Sequence, residues 1–131
     1  MPEDQPQSRP FSYAVLRVVP CLERGERLNV GLALFCRQHG FLDLETGLDR
    51  ARLAAIAPDL DPGPVEARLA VIRQVIEGDP AVGALAELDP SDRFGWLTAP
   101  SSTIIQSSEV HTGLTADPAA ELKRLFGSLV L

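Results

Sequence analysis

Phe11-Ser-Tyr-Ala-Val-Leu-Arg-Val-Val19 and Leu28-Asn-Val-Gly-Leu-Ala-Leu-Phe-Cys-Arg37 are the two stretches that govern the architecture. Both are rich in β-branched, aliphatic and aromatic residues, the composition of strands. In the first, Phe11, Tyr13, Val15, Arg17 and Val19 alternate with Ser12, Ala14, Leu16 and Val18, so both faces are largely apolar. A strand of that kind belongs in a sheet interior. In the second, Leu28, Val30, Leu32, Leu34 and Cys36 form an apolar face, and Asn29, Gly31, Ala33, Phe35 and Arg37 form the other. Cys21 to Arg27, with Gly25 at its centre, is a short polar turn, so the two strands pair antiparallel. Gly31 inside a strand marks a bulge or a close backbone approach.

Further along the chain, Gln38-His39-Gly40 is a turn, and Phe41 to Leu44 reads as a third strand. Asp49 is placed to cap a short helix carrying Leu53 and Ile56 and ending near Pro58. Val65, Leu69, Ile72 and Ile76 recur at helical spacing, which predicts a helix over 64–77 with its stop at Gly78. Aspartate followed by proline is a helix-start signal, because the carboxylate caps free amides and proline has no amide to leave unpaired. Asp79-Pro80, Asp89-Pro90 and Asp117-Pro118 are read as such starts. From Trp96 the pattern turns extended, with two or three short β segments before Gly113. Leu122, Leu125, Phe126 and Leu129 share the inner face of a final helix. The expectation is an α+β domain over 11–131, a mainly antiparallel sheet covered on one face by three to four helices, after a disordered lead-in over 1–10.

Composition bounds the function classes. The chain has 131 residues, 45% of them hydrophobic, with a formal net charge of −6. That length suits one domain with one core. Eleven of the cations are Arg, and none is clustered. Phosphate-backbone binding needs several grouped cations, so the charge argues against nucleic acid and against an anionic membrane surface. Met1 to Pro10 has no apolar segment of a signal peptide, and no apolar run approaches the ~18 residues of a membrane span. A cytoplasmic location is expected. Cys21 and Cys36 lack the spacing of a metal ribbon or redox pair, and no cofactor or metal motif is present.

Two constellations could carry chemistry. Thr98 to Thr115 holds eight hydroxyl side chains, among them Ser102 and Thr103, with Gln106 and His111 between them. Such groups can bind phosphate or carboxylate, or set a nucleophile beside a base. They also satisfy backbone groups in edge strands and turns. His111, ahead of Thr112-Gly113, is the candidate general base or else a turn-ordering residue. The second constellation is Arg17, Glu26 and Asn29. Arg17 lies mid-strand, where it either pairs with a carboxylate such as Glu26 or serves as an anion-binding fork.

Tyr13-Ala-Val-Leu-Arg17-Val-Val-Pro20, Arg24-Gly-Glu26-Arg-Leu-Asn29-Val-Gly31-Leu-Ala-Leu-Phe35 and the closing Glu121-Leu-Lys-Arg-Leu125-Phe126-Gly-Ser-Leu-Val130 together resemble domain of unknown function 3037. The resemblance covers nearly the whole chain from Phe11, with Arg27 where that pattern has an aromatic or aliphatic residue. It implies a small bacterial protein with no assigned activity, often encoded beside kinases of the HipA-like toxin kind. The expected function is therefore a non-enzymatic protein-interaction or regulatory module, with such a kinase as one partner. The alternative is an enzyme or small-anion binder using Arg17, Asn29, Ser102, Thr103, Gln106 and His111, should these converge on one pocket.

Overall fold

A computed structural model describes residues 7–101 and 103–131. Strand β1 (Arg9–Val18) pairs antiparallel with β2 (Leu28–Cys36), which pairs antiparallel with β3 (Phe41–Thr46). Strand β1 starts ahead of Phe11 because Arg9 and Pro10 pair with Thr115 and Leu114. On its other side β1 takes two partners, β4 (Ile105–Ser107) near its end and β5 (His111–Thr115) near its start. The five-stranded sheet runs β3-β2-β1-β4, with β5 also on β1.

The two-sided apolarity of β1 has a direct structural counterpart. One side of the sheet packs Leu16, Val18, Val30, Ala33 and Leu44 against helices α1 (Arg50–Ile56), α2 (Pro62–Glu77) and α3 (Pro90–Thr98). The other side packs Phe11, Val15, Leu32, Leu34 and Cys36 against α4 (Pro118–Leu129), which lies over β2 and β3. The sheet is thus covered on both faces, not on one as the order of elements suggested. Helical periodicity shows which side of a helix is apolar, but not which side of a sheet it will choose.

A bulge changes the reading of β2. Leu16 pairs with Gly31 and Arg17 with Asn29, so Val30 is an extra residue. Past the bulge Val30 joins Leu16 and Val18 in one core, while Leu32, Leu34 and Cys36 stay in the other. The single apolar face read from the alternation is therefore split between two cores, since a one-residue slip turns a strand over. Gly31 makes the bulge possible: a Cβ there would stand 3.3 Å from the Leu16 side chain and 3.3 Å from the Glu45 carbonyl oxygen.

Aspartate caps organise the helical layer. Asp49 accepts hydrogen bonds from the Ala51 and Arg52 amides, as its position predicts. Asp79, Asp89 and Asp117 also cap as expected, Asp79 at the start of two short 3-10 turns over Pro80–Glu87 that break at Gly83. Asp61 caps α2 as well, so that helix begins at Pro62 rather than Pro64. Trp96, Leu97 and Thr98 lie in α3, not in extended chain. Their helix is nucleated from Asp89-Pro90, and Pro100 lies just past its end. In α4 the buried residues are Leu122, Leu125 and Phe126, while Leu129 is exposed and Val130 takes the inner position. No helix among the described residues is long and apolar enough to cross a membrane.

Candidate functional site

The residues singled out from the sequence fall into two separate regions. Arg17 lies opposite Asn29 on β2 and opposite Gln106 on β4, in a polar row across three strands. It is half-buried and makes no ion pair among the described residues. Glu26 instead binds Arg24, with Arg24 Nε 2.5 Å from its Oε1. That hydrogen bond, ahead of the charge itself, raises the Arg24 pKa. The expected Arg17–Glu26 pair does not form: Asn29 stands opposite Arg17, the pairing ends at Leu28, and Glu26 lies beyond it in the turn. Asn29 is engaged elsewhere, since its Nδ2 donates to the Leu129 carbonyl at 2.9 Å and fastens the end of α4 to β2.

His111 is on β5, not in a turn. It is exposed and rests on Tyr13, with ring centroids 5.2 Å apart. No side-chain hydrogen bond to it occurs among the described residues, so no nucleophile–base–orienter set is assembled around it. Gly113 marks a close approach rather than a turn. A Cβ there would lie 2.8 Å from the Phe11 ring. Ser102 lies outside the described residues.

Thr103 and Gln106 meet elsewhere, in a cleft of about 240 Å³ between α2, α3 and β4. Its floor is Leu16, Ile72, Leu97 and Ile105, and its rim includes Arg68, Trp96, Ser101 and Ser107. The Arg68 guanidinium carbon sits 6.0 Å from the centroid of the Trp96 ring. The rim hydroxyls are engaged with one another and with the backbone. Ser101 Oγ and Thr103 Oγ1 are 2.8 Å apart, Thr103 Oγ1 donates to the Ile105 carbonyl, and Ser107 Oγ donates to the Ser108 carbonyl. Gln106 Nε2 donates to the Thr103 carbonyl. Arg17, Asn29 and His111 do not line this cleft. Sequence reasoning missed Arg68 and Trp96 because they lie on different helices. The available signal was Arg68 flanking the Val65–Leu69–Ile72 stripe of α2.

The described residues contain no group of three or more His, Cys, Asp or Glu side chains placed to hold a metal ion. Cys36 is buried and Cys21 exposed, both as free thiols.

The architecture is an α+β sandwich with a two-sided antiparallel sheet and no preassembled catalytic triad among the described side chains. The family described as Protein of unknown function (DUF3037) matches residues 13–130, and the chain belongs to it. No curated protein and no solved structure matches the chain.

Proposed function

We propose that this protein is an interaction module that offers the open β4–β5 edge of its sheet to an extended segment of a partner protein. The observation that carries this reading is the contrast between the two sheet edges. Strand β3 carries Asp43 and Glu45, charges of the kind that discourage edge-to-edge pairing. Strand β5, His-Thr-Gly-Leu-Thr, carries no carboxylate, no lysine and no proline. Leu114 on it is 68% exposed, and Val110 beside it is 46% exposed. A strand with one paired and one open edge, bearing an exposed leucine and preceded by an exposed valine, suits strand addition, where backbone hydrogen bonds give affinity and alternate side chains give selectivity.

The net charge of −6 disfavours a second copy of the chain and favours a basic segment. On this reading a HipA-like kinase, the partner that the family resemblance implies, supplies the segment. Hydrogen exchange with and without such a kinase, purified from the same genome, tests the reading. Protection confined to the amides of 109–115, and lost in Leu114→Lys with unchanged melting, is expected. Protection elsewhere, or none, overturns the edge assignment. A concentration-dependent dimer of the protein alone overturns the choice of partner.

A further inference from the structure

We propose that the cleft between α2, α3 and β4 binds a small carboxylate with an apolar body, independently of any partner at the sheet edge. Charge points there first. The chain carries 18 acids against 12 Lys and Arg, yet among the described residues the cleft is lined by Arg68 and by no acid. Arg24, Arg50, Arg52, Arg73 and Arg124 each face a carboxylate of the protein; among the described residues Arg68 is one of the arginines that do not, and of these it is the one that lines the cleft, beside an indole. Trp96 lies within cation–π range of the guanidinium, and no side chain or carbonyl among the described residues accepts from its N–H groups.

The other polar groups narrow the anion. Phosphate is held by several convergent donors, but Thr103, Ser107 and the Gln106 amide already donate to backbone carbonyls. Beside the second N–H of Gln106, the planar Arg68 fork remains, and a fork matches a carboxylate bidentately. The floor of Leu16, Ile72, Leu97 and Ile105 is apolar and buried, which calls for hydrocarbon on the ligand. A cavity of about 240 Å³ limits its size. A cavity of roughly 150 Å³ accepts benzene, so one ring plus a carboxylate fits and a nucleotide does not.

Trp96 is the chain's one tryptophan and reports directly on the cleft. Titration with cyclohexanecarboxylate, which does not absorb where indole is excited, should change its fluorescence saturably in the millimolar range or below. Cyclohexanecarboxamide and inorganic phosphate should bind at least tenfold more weakly. Arg68→Met, at an exposed position, should melt normally and lose at least tenfold in affinity, while Arg52→Met keeps the response. Leu114→Lys should also keep it, which separates this site from the edge. No saturable response, an equal response to the amide, preference for phosphate, or an unaffected Arg68→Met each overturns the proposal.

Discussion

Ser108 holds Val15 at both of its backbone groups: its amide donates to the Val15 carbonyl at 2.7 Å, and its hydroxyl accepts from the Val15 amide at 2.8 Å. The pairing with β1 shifts by one residue between β4 and β5, and Ser108 sits at that break. Its side chain supplies the acceptor that a regular ladder would take from a carbonyl. Ser108 is 5% exposed, so water cannot replace it.

Ser108→Ala should therefore strand a buried amide and destabilise the protein by about 1–3 kcal/mol. Urea unfolding measures this directly. A loss below about 0.5 kcal/mol would mean that the break closes without the hydroxyl.

Asn29→Ala removes the donor to the Leu129 carbonyl at the end of α4. The expected loss is about 0.5–1.5 kcal/mol, that of one net hydrogen bond. Hydrogen exchange should quicken at the last turn of α4 and stay unchanged in α2.

Arg17→Met separates the ion-pair expectation from the structure. With no carboxylate on Arg17 among the described residues, the loss of charge leaves no partner stranded. The melting temperature should hold or rise, as when a half-buried unpaired charge is replaced by a side chain of similar reach. A fall of several degrees would show that Arg17 has an acceptor after all.

Gly113→Ala forces a methyl group against the Phe11 ring, which is 4% exposed and has little room to move. Destabilisation by about 1–3 kcal/mol is expected. Adding Phe11→Leu should recover part of it, and a double-mutant cycle with no coupling would remove the ring as the cause.

Glu121 accepts from Arg124 Nε at 2.9 Å and Nη2 at 3.0 Å, and these hydrogen bonds hold its pKa below the usual carboxylate value. A depressed carboxylate stabilises above its unfolded-state pKa, and that stabilisation is lost as pH falls through the folded value. The melting advantage over Glu121→Gln should be present at neutral pH and vanish in acid. It should be small, because Arg124 is exposed and the pair is screened. An advantage that grows on acidification contradicts the assignment.

What the sequence made legible was local. Asp49, Asp79, Asp89 and Asp117 cap where their spacing places them, because a cap depends on the next three residues and little else. The β1–β2 hairpin was readable for the same reason, and Gly31 announced its irregularity. The register beyond Gly31 was not, since a bulge shifts every later pairing and set Asn29 opposite Arg17. His111 was misplaced because Gly113 looks like a turn when the Phe11 ring across the sheet is out of view. Of the candidate ligand residues, Thr103 and Gln106 reach the cleft, and its cation and indole come from helices that no local pattern relates.

Strand β1 is laid down first, yet its second neighbour is made of residues 105–115. As the chain leaves the ribosome, β1 and β2 can zip at once, leaving one flank of β1 without hydrogen-bond partners while the helices are still being synthesised. Phe11, Val15 and Leu16, all buried at the end, are exposed during that interval. Synthesis that stops before Ile105 would thus leave a sticky, half-built sheet, and the window for chaperone capture closes only when β5 has paired and α4 has covered Phe11 and Val15.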